Sequence, residues 1–374
     1  MTSAAIHADQ LWFDVTGGVG TYLRNLVPAM TAHDPSLEVT LFHARFDREP
    51  DLPESLRRLR IEPLAEPVRS LYPRWNTLGR PALPATLASA ELVHAGSGAA
   101  VPPAAPDQRL VVTIHDLAFL RFPALFPRRW RLVYRLGLRA AVRRADTILT
   151  PSRSTAEDIV SRTRVDPGRV HVTPLAATLG SADADPSATL ERLGVRAPYV
   201  LFVGTLEPRK NLVTLVRAYR RAVEAGIPQT LVLAGATGWG AGPLERELAL
   251  EGPGRIVRTG WLSDADLDAV YRGASVFVYP SLYEGFGLPV LEAMARGVPT
   301  IASATSSLPE VTGDAALGVD PGSPSDIARA IRAIATDEAL SARLADAGRR
   351  RAQMFSWDET ARLTLRAYER TGVR

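Results

Sequence analysis

The 374 residues contain no cysteine and a single lysine. The first absence excludes disulfides and thiolate metal sites, and it fits a reducing compartment. No stretch approaches the roughly 18 apolar residues of a membrane-spanning helix. The opening run Met1-Thr2-Ser3-Ala4-Ala5-Ile6-His7-Ala8-Asp9 lacks the basic start and the long apolar core of a secretory signal. A soluble, cytoplasmic chain is therefore expected. Absent too are the G-x-G-x-x-G dinucleotide fingerprint and any His-rich spacing that would gather a metal, so no metal and no other cofactor is assigned. There is no aromatic-rich single-strand platform and no DNA-reading motif. Nucleic acid is therefore not expected as a partner, although all of the 44 lysines and arginines except Lys210 are arginine.

What is present suffices for two domains, with an apolar content of 46%. The formal charge is +4, and residues 1–180 hold about five more basic than acidic side chains, so an acidic partner would meet the first half. Apolar runs at 4–8, 38–44, 91–95, 110–114, 147–150 and 170–173 read as strands. A second series follows at 199–203, 230–234, 256–259, 275–279 and 300–302. Helical spacing between them, clearest over 211–224, makes the pattern α/β with parallel sheets. The segment Leu179-Gly180-Ser181-Ala182-Asp183-Ala184-Asp185-Pro186-Ser187 offers no apolar period to bury, so domains over 1–180 and 188–356 are expected. Residues 101–106, rich in proline and alanine, read as a surface loop.

Ligands of open parallel sheets bind beyond the carboxyl ends of the strands, which directs attention to four places. After the first strand, Thr16-Gly17-Gly18-Val19-Gly20-Thr21 would let backbone N–H groups approach a phosphate at a helix start. Tyr22, Leu23, Leu26, Val27 and Met30 then mark an amphipathic helix. After 110–114 comes His115-Asp116, a histidine able to donate a hydrogen bond, with an aspartate to fix its tautomer. In Gly204-Thr205-Leu206-Glu207-Pro208-Arg209-Lys210-Asn211, Arg209 and Lys210 can neutralise a diphosphate without a metal. The lysine is a compact ammonium on a flexible stem, suited to a phosphate as a point charge. In Tyr283-Glu284-Gly285-Phe286-Gly287-Leu288-Pro289-Val290-Leu291-Glu292, two carboxylates flank a glycine-rich helix entrance. Pro289 suits the first turn and Gly297 the end, which places Glu292 in or near that first turn. Each of these features also has a plain structural reading, as a turn, a solvated helix start or an acid in a first helical turn. Together they read as a nucleotide-sugar site.

Glu284 through Glu292 resembles the Glu-x7-Glu motif of the retaining glycosyltransferases of family 4, and Gly204 through Asn211 resembles that family's diphosphate segment. The likeness extends to the Gly17-Gly18 turn, to His115-Asp116, to Gly260-Trp261-Leu262-Ser263-Asp264-Ala265-Asp266-Leu267 and to the closing Phe355-Ser356-Trp357. It implies a GT-B fold, two Rossmann-like domains facing across a cleft, with a terminal helix at about 357–374 crossing back to the first. It also implies roles. Arg209 and Lys210 would hold the donor diphosphate, Glu292 the ribose and Glu284 the donor sugar. Backbone amides at Phe286, Gly287 and Leu288 would contact sugar and phosphate, His115 would reach the sugar, and Gly17 and Gly18 would approach phosphate and acceptor. One departure is Ser306-Ser307-Leu308-Pro309-Glu310, where many members carry a glycine pair before Pro-Glu.

The same segments are similar to bacterial mannosyltransferases that build O-antigen and related polysaccharides, which favours GDP-mannose as donor. UDP- and dTDP-sugars stay open, as does a sugar-nucleotide epimerase of similar fold. An arginine-rich nucleic-acid-binding protein is the non-enzyme alternative. The acceptor would be a glycan, a lipid-linked glycan or a small molecule. Arg128, Arg131, Arg135, Arg139 and Arg143 fall on one face of a predicted helix, opposite Trp130, Val133, Tyr134 and Ala141. That stripe is either a solvated face or a peripheral contact with the inner face of the cytoplasmic membrane.

Overall fold

A computed structural model of the chain describes residues 3–180 and 185–372. Residues 181–184, inside the expected boundary segment, lie outside the described residues, as do Met1, Thr2 and residues 373–374 at the chain ends. Contacts divide the chain into two compact units, Met1–Leu175 with Ser356–Arg374, and Ala176–Phe355.

The first unit is a seven-stranded parallel sheet of β1 (Ser3–His7), β2 (Glu38–His43), β3 (Arg60–Pro63), β4 (Leu92–Ala95), β5 (Arg109–Thr113), β6 (Thr147–Thr150) and β7 (Val170–Val172), ordered 3-2-1-4-5-6-7. β4 and β6 are buried along their whole length. Both faces are covered by helices, which is why these strands read as continuous apolar runs. The helix Gly17–His33 buries Tyr22, Leu23, Leu26, Val27 and Met30. It begins at Gly17, so the glycines form its first turn instead of a separate turn before it.

A second helix of this unit, Trp357–Arg370, packs along Gly17–His33. Its start follows from Ser356, an N-cap whose hydroxyl accepts the Glu359 N–H at 3.1 Å. Near its end Tyr368 reaches the sheet. The Tyr368 hydroxyl lies 2.7 Å from His94 Nδ1, His94 Nε2 lies 2.8 Å from Thr113 Oγ1, and that oxygen lies 3.0 Å from the Tyr22 hydroxyl. Burial pushes the His94 imidazole down to about 3, so this network works with a neutral ring.

The second unit repeats the plan with β8 (Tyr199–Val203), β9 (Thr230–Ala234), β10 (Ile256–Gly260), β11 (Val276–Tyr279), β12 (Thr300–Ser303) and β13 (Leu317–Val319), ordered 10-9-8-11-12-13. Both units thus have the strand order of doubly wound, Rossmann-like sheets. The order reverses between β1 and β4 in one and between β8 and β11 in the other, and ligands of such sheets bind outside those switch points.

Two edge strands, β3 and β13, fall outside the sequence expectation. β3 is partly exposed and ends in proline, which an edge tolerates because its N–H side faces no partner strand. β13 has only three residues. The stretch 101–106 is a loop, but it is not wholly superficial. Val101 and Pro102 are buried, because the Val101 N–H binds Asn76 Oδ1 at 3.0 Å and its carbonyl receives Arg144.

Candidate active site

The switch point of the second unit is built by the segments leaving β8 and β11. β8 runs into Gly204, and Pro208–Lys210 makes a short 3-10 turn. Asn211, at φ +59°, then turns the chain into the helix Leu212–Glu224. Asparagine tolerates that left-handed conformation better than most residues, and its side chain is used as well. Asn211 Nδ2 donates to the carbonyls of Pro280 at 3.1 Å and Pro321 at 2.7 Å. The Leu282 N–H binds the Arg209 carbonyl at 3.0 Å. These bonds place the Arg209-Lys210 pair against the segment after β11.

There the charged side chains meet. Lys210 Nζ donates to Glu284 Oε1 at 2.6 Å and to the Tyr279 hydroxyl at 2.6 Å. Arg209 Nη1 donates to Glu284 Oε2 at 2.8 Å and to the Tyr283 carbonyl at 2.9 Å, while its Nε donates to Glu207 Oε1 at 3.0 Å. Lys210, Glu207 and Glu284 are all buried. Burial alone would raise the Glu284 carboxyl, but Arg209 and Lys210 outweigh it and hold the group down to about 2. Two cations therefore share one fully ionised carboxylate at the carboxyl ends of β8 and β11.

The glycine-rich entrance follows at once. Gly287 caps the helix Leu288–Ala295 at φ +112°, a backbone that strains any side chain, and a Cβ there would stand 2.5 Å from Leu308 Cδ2, so that methyl would have to move. The N–H groups of Val290 and Leu291 bind the Gly287 carbonyl. Proline at 289 has no N–H, which leaves Gly287 and Leu288 to supply the free backbone donors of the helix start. The Phe286 ring is buried, edge-on to Phe355.

Glu292 is the fifth residue of this helix, just past its first turn and near where the sequence placed it, beyond the strongest reach of the helix dipole. Tyr271 holds it, its hydroxyl donating to Glu292 Oε2 at 2.9 Å. Burial raises this carboxyl to about 7, against the opposing pull of Tyr271 and Arg296. The two glutamates thus differ in chemistry, one ionised at all ordinary pH and the other titrating near neutrality.

In the first unit the histidine follows β5 and lies edge-on to Tyr22 of the helix Gly17–His33, with ring centroids 5.0 Å apart. Gly17 has φ +56°, lies exposed, and has no atom within 4 Å of where a Cβ would point. Gly18 is also exposed. His115 Nε2 lies 2.9 Å from the Gly96 carbonyl, which can only accept, so this nitrogen carries the proton. Burial lowers the imidazole from its ordinary value and keeps it neutral. Asp116 does not set the tautomer. Its Oδ1 accepts the Ala118 N–H at 2.9 Å instead. His115 therefore offers a lone pair on Nδ1 and not the donor expected of it.

Several partners escaped the sequence reading. Glu207, two residues before Arg209, could have been suspected as a carboxylate in the same segment. Tyr279 and Tyr271 carried no local signal, since they reach the site from 69 and 21 residues away from Lys210 and Glu292. Among the described residues no group of three or more side chains gathers to hold a metal. The spaced aspartates Asp264 and Asp266 open a helix capped by Ser263, with Asp266 also paired to Arg192.

Comparison with known proteins matches residues 191–351 to glycosyl transferases group 1 and residues 16–180 to glycosyltransferase family 4. The O-antigen chain mannosyltransferase B of Escherichia coli is 32% identical, over 94% of this chain and 96% of its own. The MMP alpha-(1->4)-mannosyltransferase of Mycolicibacterium hassiacum is 35% identical, over 66% of this chain and 59% of its own. Among solved structures, a sucrose-phosphate synthase from Thermosynechococcus elongatus superposes with a TM-score of 0.75 at 24% identity, covering 99% of both chains. An Anabaena protein solved in complex with UDP and glucose gives 0.74 at 16%, covering 99% of this chain and 100% of its own.

Proposed function

The chain belongs to the family 4 glycosyltransferases, and from that premise we propose that it moves a mannosyl group from GDP-mannose to a glycan acceptor, with retention at the anomeric carbon and without a metal. The observation that carries the reading is the Arg209-Lys210 pair, held on one ionised carboxylate beside a helix start with free N–H groups. Two relatives named as mannosyltransferases support mannose as the sugar.

In this scheme the bond between the donor's C1 and the β-phosphate oxygen breaks, and the electron pair stays on that oxygen. Arg209 and Lys210 take up the growing negative charge. With Lys210 buried and Arg209 partly so, they act in a medium where a fixed charge counts for more than in water. Glu284 stays ionised and supports positive character at the sugar ring. The acceptor hydroxyl adds to C1 on the face the phosphate leaves, and its proton passes to the departing phosphate oxygen. Two side-chain cations supply the positive charge that a divalent ion would otherwise bring, which is why no metal is assigned. Glu292 accepts hydrogen bonds from the ribose hydroxyls, and the N–H groups of Gly287 and Leu288 face phosphate. In the first unit, the open space beside Gly17 and the exposed Gly18 suit an acceptor, and His115 offers the Nδ1 lone pair to a hydroxyl.

A lipid-linked acceptor is supported by the helix Arg128–Arg144. Arg128, Arg135, Arg139 and Arg143 are exposed around Leu132, itself 58% exposed, while Arg131 is half-buried and donates to the Pro123 carbonyl at the surface. Basic groups near an anionic surface contribute about 1 kcal/mol each. Sedimentation with vesicles containing phosphatidylglycerol should carry the protein down, and Arg135→Glu with Arg139→Glu should abolish it. Equal sedimentation of both proteins removes the membrane from the account.

The donor is tested by a thermal-shift panel of GDP-, UDP- and dTDP-sugars, because a ligand of the folded state raises stability by RT ln(1 + [L]/Kd). GDP-mannose should give the largest shift and then support transfer. A larger shift with a UDP- or dTDP-sugar, followed by transfer of that sugar, would replace the donor.

A further inference from the structure

We propose that Ser306 and Ser307 are positioning residues for the donor sugar, fixing the backbone of Glu284 and Phe286 while Arg209 and Lys210 fix the Glu284 carboxylate. The inference rests on the assignment of Glu284 to the sugar.

The two serines follow β12 and precede the short helix Leu308–Thr312. Ser306 Oγ accepts the Glu284 N–H at 3.0 Å and donates to its neighbour's carbonyl, Thr305, at 2.7 Å. Ser307 Oγ lies 2.9 Å from the Glu284 carbonyl and 2.9 Å from the Phe286 carbonyl, so its one proton is shared between them. Ser307 is completely buried. Glu284 is thus gripped at its N–H and at its C=O by adjacent hydroxyls from a distant part of the chain. The same two segments also touch where Gly287 meets Leu308.

Backbone conformation adds a second, independent observation. Ser306 sits at φ +54°, one of two described non-glycine residues with positive φ. Glycine rests there without strain, whereas a side chain does not. This chain keeps a side chain at the strained position, and its oxygen is the acceptor of the Glu284 N–H. A glycine pair has no hydroxyl to offer, so it could not hold the Glu284 segment in this way. Strain retained beside a reacting group points to a purpose that the strained residue serves.

The consequence concerns discrimination among hexoses. A carboxylate tells one sugar epimer from another only if it is held to within about 0.5 Å. Four anchors do this for Glu284: two cations on the carboxylate and two hydroxyls on the backbone. Removing the hydroxyls should loosen contacts made in the transition state more than those made to the nucleotide, so turnover should fall while GDP affinity holds.

The experiment compares wild type with Ser306→Gly and Ser307→Ala. For each, transfer kinetics with GDP-mannose and GDP-glucose and calorimetric binding of GDP are measured, with melting temperature as the control for folding. Turnover is expected to fall about tenfold or more in both variants, the preference for mannose to narrow, and the Kd for GDP to stay within about twofold. Should Ser307→Ala fail to fold, Ser306→Gly decides alone, since it relieves the backbone and leaves the buried hydroxyl in place. Unchanged turnover and preference in a folded variant overturns the inference, and so does a parallel loss of GDP affinity. A wild-type protein that transfers no sugar sinks the functional reading and this inference with it, whereas an active wild type with unaffected variants sinks only the role of the serines.

Discussion

Glu284 and Glu292 lie in one motif and face opposite electrostatic demands. Arg209 and Lys210 keep Glu284 ionised, whereas burial keeps Glu292 near the edge of protonation. Glu284→Gln should therefore lower turnover by about two orders of magnitude, the usual effect of removing a preorganised charge, yet leave GDP binding as tight as before or tighter. Tighter binding is possible because the amide no longer competes with phosphate for the two cations. Steady-state kinetics beside GDP calorimetry checks this.

For Glu292 the prediction is a pH dependence. If only the carboxylate accepts from ribose, GDP affinity should weaken about tenfold per unit below pH 7 in the wild type and stay flat in Glu292→Gln. The effect on stability runs in a defined direction. A carboxyl whose folded value is raised from 4.5 to about 7 binds its proton more tightly when folded. Its contribution is present below pH 4.5 and is lost as pH rises toward 7. Melting temperature across that window should fall more steeply in the wild type than in Glu292→Gln. Arg209, Lys210, Glu284 and Glu292 were legible because they follow strands or lie close to a helix start, whereas Glu207 was passed over. Tyr279 and Tyr271 were not legible, nor in the first unit was the Gly96 carbonyl at His115, because only the folded sheets bring these groups within bonding distance.

At the level of elements, central strands declared themselves by unbroken apolar runs, since a parallel strand buried on both faces has no polar side to show. The edges β3 and β13 did not, being short and half solvated. The helix Gly17–His33 was marked by its apolar spacing, but its first residue was not, because glycine usually signals a turn. The terminal helix was implied by the family resemblance and is started by the Ser356 N-cap, whereas the burial of Tyr368 against His94 is a tertiary event. Tyr368→Phe tests that contact. It removes a hydroxyl from a fully buried imidazole, and an unpaired buried polar group costs about 1–3 kcal/mol. Denaturant unfolding should show such a loss, with little change in GDP binding by the second unit. A variant as stable as wild type would mean that the His94 network does not anchor this helix.

On the scale of the whole molecule, the alternation of strands and helices is enough to indicate two doubly wound sheets, because few other arrangements bury so many short parallel strands. The choice of nucleotide base is of another kind. It depends on a handful of loop contacts whose geometry is set only after both segments at the β8/β11 switch point have docked. The account turns on one claim, that the Arg209-Lys210-Glu284 cluster receives the diphosphate of a nucleotide-linked mannose. Calorimetric titration of GDP-mannose in excess EDTA tests it most directly, with wild type, Lys210→Ala and Lys210→Arg side by side. The account predicts saturable binding by the wild type without metal, affinity about tenfold or more lower for the alanine variant, and partial recovery for arginine. Equal affinity in all three proteins, or binding that appears only when magnesium or manganese is restored, would contradict it.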